Sequence, residues 1–224
     1  VVSMCDYFVK CAPIFKFNPE DSFSNFSHEG IKNAQPLPWQ ASEIVLKDRI
    51  QEEASQVIKL AIDKNKTLST AESCTGGLIG GTLTAISGSS SAFEGGVISY
   101  SNNVKQIVLG VSARDIEQVG AVSSEVAAQM ADGSRKTCQS DIAVSVTGIA
   151  GPGGAVPGKP VGTVWFGLST DSYTKTFVRH FRGNRGEVRS QTVLFALELY
   201  QVALKGGCDF PDESDWLDDT EALS

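Results

Sequence analysis

The stretch Thr67–Gly77, Thr-Leu-Ser-Thr-Ala-Glu-Ser-Cys-Thr-Gly-Gly, constrains this chain more than any other. Its first half is Thr-rich and alternating, as a strand is. Its second half is small and polar and ends in two glycines. Beyond it, Leu78, Ile79, Leu83 and Ile86 recur at helical spacing. A strand that turns sharply into a helix leaves N–H groups unpaired at the turn, and the helix dipole adds positive partial charge there. Such a corner binds phosphates and stabilises oxyanions. This one also carries Ser73, Cys74 and Thr75 as candidate nucleophiles or donors. The plainer account is an N-cap followed by glycines that let the helix pack closely on the sheet. On this stretch alone both accounts stand.

The segments around it follow a strand–helix alternation. Ile50, Ala54, Val57 and Ala61 predict an amphipathic helix over roughly 43–64. A strand at Thr67–Ser73 and a helix at Gly76–Ser87 follow, then a short buried strand at Gly95–Tyr100. Ser101-Asn102 offers an N-cap to a helix that carries Val104, Ile107, Val108 and Leu109 and stops at Gly110. Ser112–Asp115 has capping-box form. Ser123 and Ser124 open a helix to about Lys136. Ile142–Val146 suits a central strand, and Thr147–Gly154 follows as a glycine-rich loop. Val161–Thr170 and Thr174–Phe181 pair as a late hairpin. Val188, Thr192, Phe195, Leu199 and Val202 mark the last helix, ended by Gly206-Gly207. The expected fold is a layered α/β/α single domain with a mixed, mostly parallel sheet and a late β-hairpin. Ligands in such sheets gather at the strand C-termini, which would bring Ser73, the Tyr100–Lys105 stretch and the Gly148–Gly154 loop to one edge.

The domain expected over 42–205 is flanked by two different segments. Residues 1–41 hold aromatics, four prolines and no sustained period, and read as an N-terminal extension, partly disordered. Val1 in place of Met suggests a fragment or an unusual start. Residues 206–224 carry seven acids and no Lys or Arg, so the net charge of −7 belongs to an acidic, disordered tail and the rest of the chain is neutral. With no long basic patch, nucleic-acid binding is not indicated. No run approaches the roughly 18 apolar residues of a membrane span. The five cysteines lack Cys-x-x-Cys spacing, which disfavours zinc and a disulfide framework and suits a reducing cytoplasm. His28 and His180 are far apart, so no metal is expected.

In order along the chain, Thr-Ala-Glu-Ser-Cys-Thr-Gly-Gly (70–77), Tyr-Ser-Asn (100–102) with Lys105, Gly-Ala-Val-Ser (120–123), Thr-Gly-Ile-Ala-Gly-Pro-Gly-Gly (147–154) and Pro-Val-Gly-Thr-Val-Trp (160–165) are found. Together they resemble the C-terminal domain of the competence/damage-inducible protein CinA, over about residues 43–205. The resemblance implies a nicotinamide mononucleotide deamidase, in the stand-alone form that lacks the pyrophosphatase-type domain of larger relatives. It implies no cofactor, a small-molecule substrate and a homo-oligomer. By position it implies Ser73 as nucleophile, Lys105 as general base, Tyr100 as support, Thr147 as a hydroxyl after the central strand, and Arg185 before the last helix. One departure is Gly95, where some relatives carry a basic residue.

The residues themselves are compatible with that chemistry. Metal-free amide hydrolysis needs an activated nucleophile, an oxyanion site and a proton for the leaving amine. The N–H groups around Cys74, Thr75 and Gly76 are the expected oxyanion donors, and Gly148, Gly151 and Gly153 would allow close backbone approach to a phosphate. If Asn102 is the cap, Lys105 is the third helical residue, and its pKa would be lowered a little by the dipole and further by burial under Tyr100 and the neighbouring loops. Cys74 competes with Ser73, because a thiol at a helix N-terminus has a lowered pKa. His180 is the only histidine of the domain and is expected on the surface. The alternative function is a catalytically silent nucleotide- or partner-binding module that uses the corner only to grip phosphate.

Overall fold

The structure is a computed structural model that describes residues 38–206, with 38–45 as backbone alone. The expected extension and acidic tail therefore lie almost wholly outside the described residues. Helix α1 (Pro38–Asp63) starts a few residues before its apolar period does, and Ala54, Val57, Ile58 and Ala61 form its buried stripe. Strand β1 (Leu68–Glu72) is buried at every position, as a strand covered on both faces must be. Helix α2 is shorter than the periodicity suggested, Leu78–Thr84, because Gly76 and Gly77 take left-handed φ of +63° and +98° in the turn before it. Strand β2 spans Phe93–Ile98, two residues earlier than expected, and leaves Tyr100 beyond its end. Helices α3 (Asn102–Leu109), α4 (Ala113–Val119) and α5 (Ser124–Cys138) are N-capped by Ser101, Ser112 and Ser123. Strand β3 (Ile142–Gly148) runs two residues further than its apolar core, taking in Thr147. Strands β4 (Thr163–Ser169) and β5 (Thr174–His180) form the hairpin. Helix α6 (Arg185–Lys205) opens on a capping box between Asn184 and Glu187 and ends at left-handed Gly206.

The five strands lie in the order β2-β1-β3-β4-β5. β1 pairs in parallel with both β2 and β3, whereas the β3–β4 and β4–β5 pairings are antiparallel. The chain leaves β1 for β2 on one side and returns to β3 on the other. The C-terminal end of β1 is therefore a topological switch point, where an open α/β sheet forms a crevice. Residue 73 sits there.

The two faces of the sheet are packed by different means, which makes the α/β/α layering. On one side Leu68, Val144, Val146, Phe166 and Leu168 meet α1, α2 and α6 in the larger apolar cluster. There the Phe166 and Phe195 rings lie edge to face, 4.7 Å apart. On the other side α5 comes close because the residues between are small. A side chain at Gly167 would begin 2.3 Å from the Ala127 carbonyl oxygen. Ser145 Oγ donates to that same carbonyl at 2.6 Å, and Ser134 Oγ donates to Thr70 O at 2.9 Å.

Candidate active site

The corner after β1 is organised by Glu72, the residue that the sequence motif contains but assigns no task. Its side chain is 1% exposed. Its Oε2 accepts from Thr75 Oγ1 (2.6 Å), Gly77 N (2.9 Å) and Ile79 N (3.1 Å), and its Oε1 accepts from Gly80 N (2.8 Å). A carboxylate at a helix N-terminus is favoured by both the dipole and charge-assisted hydrogen bonds. The consequence corrects the first reading of this corner. Those first-turn N–H groups of α2 already hold an internal anion, so they offer nothing to an external one. With those three amides taken, the turn itself, Cys74–Gly76, is the backbone next to Ser73 that could supply donors to an anion.

Ser73 follows directly, tied by its N–H to Val146 O of β3 at 3.0 Å. Its hydroxyl is half-buried and meets Lys105 Nζ at 3.0 Å. Lys105 Nζ also donates to Ser99 O at 2.6 Å. The helix that brings it is capped by Ser101, whose Oγ accepts from Val104 N at 3.2 Å, and not by Asn102. Lys105 is thus the fourth helical residue instead of the third. It is 1% exposed, and among the described residues no carboxylate pairs with it. Burial lowers its pKa from 10.5 to about 8. Tyr100 itself stands 64% exposed.

Cys74 turns away from this pair. Its side chain is 6% exposed and joins the larger apolar cluster. Burial pushes its thiol up to about 12, with Glu72 adding to the rise and Lys105 and Arg189 working against it. The expected lowering at a helix N-terminus is therefore reversed, and neither nucleophilic attack nor substrate contact by the side chain fits this placement. Thr75 is fully buried, with its hydroxyl spent on Glu72, so only its backbone faces the corner's chemistry. Gly76 is exposed.

The other sequence-expected residues are distributed around this centre. Thr147 lies in β3, 1% exposed, and its Oγ1 donates to Ala121 O at 2.8 Å, so that proton ties β3 to the loop before α5. Gly148 is also in β3. A side chain there would begin 2.7 Å from Val164 Cγ2, so its smallness serves the pairing with β4. Gly151, with φ of +83°, is buried against Val161, and Gly153 is exposed with open space around its Cβ position. Arg185 is the first residue of α6. Its Nη1 donates to Gly151 O (2.9 Å) and its Nη2 to Tyr100 OH (3.3 Å), joining the glycine loop, the β2–α3 corner and α6 at one rim. Gly95 lies inside β2. His180 is exposed at the end of edge strand β5, with Nδ1 3.2 Å from Thr163 Oγ1. Among the described residues, no three His, Cys, Asp or Glu side chains gather as a metal site would require. No helix among them is long and apolar enough to cross a membrane.

Three contributors went unnoticed in the sequence: Glu72, the Ser99 carbonyl and Arg189, whose Nη2 donates to Thr75 O at 2.7 Å. Arg189 had a usable signal, since it follows Arg185 by four residues and shares its helix face. A backbone carbonyl gives none.

Comparison with known proteins follows the same boundaries. The family described as CinA C-terminal domain matches residues 50–204. A competence-damage inducible protein of Acetivibrio thermocellus is 46% identical over 151 residues, 66% of this chain and 37% of that protein. The CinA-like protein of Thermotoga maritima is 41% identical over 150 residues, 67% of this chain and 36% of that protein. The chain thus spans well under half the length of these relatives. Among solved structures, the competence/damage inducible protein CihA of Agrobacterium tumefaciens superposes with a TM-score of 0.67 at 41% identity, covering 70% of this chain and 96% of that one. A CinA superfamily protein of Klebsiella pneumoniae gives 0.68 at 32% identity, covering 70% and 98%.

Proposed function

Because the chain belongs to the CinA C-terminal domain family, we propose that it is a serine–lysine amidohydrolase acting on nicotinamide mononucleotide. The products are nicotinate mononucleotide and ammonia. The observation that carries this reading is the 3.0 Å approach of Lys105 Nζ to Ser73 Oγ, with the amine buried and its pKa lowered to about 8. Near pH 7 about a tenth of such lysines are neutral, against fewer than one in a thousand at an ordinary pKa. A neutral amine has two hydrogens and one lone pair. The Ser99 carbonyl takes a hydrogen, which leaves the lone pair for the Ser73 hydroxyl.

Lys105 accepts the Ser73 proton while Oγ attacks the carboxamide carbon. N–H groups of the Cys74–Gly76 turn hold the resulting oxyanion. The C–N bond then breaks, Lys105 returns its proton to the departing nitrogen, and ammonia leaves. Lys105 then takes a proton from water as its oxygen attacks the acyl carbon, the bond to Ser73 Oγ breaks, and Lys105 returns that proton to Oγ, releasing nicotinate mononucleotide. Arg185, steadied by Gly151 O and Tyr100 OH, presents its remaining N–H groups to the phosphate of the nucleotide. The competing reading, a silent module gripping phosphate at the α2 N-terminus, loses its main donor set to Glu72. Ammonia release from nicotinamide mononucleotide, measured with purified protein in EDTA, tests the proposal. Saturable binding without turnover would overturn it in favour of the module.

A further inference from the structure

Helix α6 delivers two guanidinium groups to this corner, and the mechanism above uses one. The other, Arg189, is half-buried one turn further on. Its Nη2 donates to Thr75 O at 2.7 Å. Its Nε is enclosed and meets no acceptor, and no carboxylate pairs with the group among the described residues. Nη2 also lies 3.8 Å from where a side chain on Gly76 would begin. An Arg this enclosed with its charge turned on one carbonyl is an expensive arrangement for a single hydrogen bond.

The peptide it touches gives the arrangement a purpose. Thr75 C=O and Gly76 N–H belong to one planar trans unit, so they point to opposite sides. Tethering the carbonyl with a cation fixes the side on which the N–H emerges and polarises it, since a charged donor makes the stronger bond. The fixing is needed at this position. Gly76 has φ of +63°, and glycine crosses between positive and negative φ at little cost. The neighbouring side of the turn is already clamped, because the Thr75 hydroxyl donates to Glu72. Glu72 also removes the Gly77, Ile79 and Gly80 amides from competition, and the Cys74–Gly76 turn directly follows Ser73 in the chain.

We infer that Arg189 is a positioning residue that, through the Thr75 carbonyl, sets the Thr75–Gly76 peptide so that the Gly76 N–H serves the oxyanion formed at Ser73. This rests on the amidohydrolase reading, and its test separates the two. Arg189→Lys and Arg189→Met are made in the full chain and assayed for ammonia release from nicotinamide mononucleotide, with amide spectra of 15N-labelled protein recorded in parallel. Loss of one oxyanion donor costs roughly 100- to 1000-fold in kcat. A misaimed donor is expected to cost about 10- to 100-fold in Arg189→Met, with KM within about twofold, and less in Arg189→Lys, which keeps a cation near Thr75 O. The Gly76 amide resonance is expected to move in Arg189→Met without any substrate present. A raised KM with kcat intact would overturn the inference, because Arg189 would then be gripping substrate. A lowered melting temperature with kcat intact would also overturn it, leaving a purely structural role. If the wild-type protein releases no ammonia, the amidohydrolase reading fails by itself; an unmoved Gly76 resonance then overturns the positioning role independently.

Discussion

Glu72 and Lys105 are each 1% exposed and sit on neighbouring corners, yet the fold treats the two ionisable groups in opposite ways. The Glu72 pocket under α2 surrounds its carboxylate with backbone N–H groups and a hydroxyl. The Lys105 pocket beside α3 supplies one carbonyl and one serine hydroxyl, and no negative charge among the described residues. A buried charge given enough partners is a structural element. A buried charge given too few is pushed toward losing its charge. The same corner therefore holds its shape with one group and is proposed to do chemistry with the other.

The sharpest way to break this contrast is to remove each group and compare rate with stability. Lys105→Met and Ser73→Ala are expected to lower ammonia release by about 100- to 10,000-fold, the range of positioned acid–base catalysis or more. Lys105→Met should at the same time match or exceed the wild-type melting temperature, since an underserved buried cation is gone. Lys105→Arg should be as inactive as Lys105→Met, because arginine cannot give up its proton near neutral pH. An active Lys105→Arg protein would sink the serine–lysine mechanism even if deamidation itself were confirmed.

Glu72→Ala should show the reverse pattern, a large loss of stability. Leaving several buried donors without their acceptor is expected to cost about 1–3 kcal/mol or more in urea denaturation. Glu72→Gln should fall between, as the amide keeps one acceptor oxygen. A Glu72→Ala protein of unchanged urea midpoint would erase the distinction between the two pockets.

The next effect is smaller and is read against pH. The folded pKa of Lys105 lies below its unfolded value, so the unfolded chain binds the extra proton between about 8 and 10.5. Wild-type stability should therefore rise relative to Lys105→Met across that window, with the full penalty present below about 8. The acidic limb of kcat/KM should fall near the same value. Coincident stability curves for the two proteins would show that Lys105 is not perturbed.

The smallest expected change is at Cys74. Cys74→Ala should keep its rate within about twofold and lose about 1 kcal/mol, as a small buried side chain does. A rate loss comparable to that of Ser73→Ala would transfer the nucleophile to the thiol.

Sequence periodicity located α1 and α6 well, because their buried residues recur over several turns; Ala54, Val57, Thr192, Phe195 and Leu199 are all fully buried. It placed less well the elements whose ends depend on partners elsewhere. β3 runs on through Thr147 and Gly148 because β4 supplies Trp165 and Val164 opposite them. The α3 cap could not be chosen locally, since Ser101 and Asn102 are both good caps. In the site, the expected strand–helix alternation already placed Ser73 and the Tyr100–Lys105 stretch at one edge, whereas singling out Lys105, Tyr100 and Arg185 rested on the family resemblance. Spacing alone says nothing of a 3.0 Å meeting between residues on different corners. The claim of Glu72 on the α2 amides was hidden for another reason. A helix N-terminus looks vacant in sequence until the residue that fills it is seen to fold back.

Ser73 and Lys105 meet across 32 residues of chain, whereas Thr75 and Arg189 meet across 114. Contacts of such different range form at different stages of refolding, because the longer loop costs more entropy to close and waits on the intervening sheet. The Ser73–Lys105 pair can therefore assemble with the parallel half of the sheet, while the peptide beside it stays unset until α6 docks. On dilution from denaturant, far-ultraviolet signal should return ahead of catalysis, and the lag would time the arrival of a single helix.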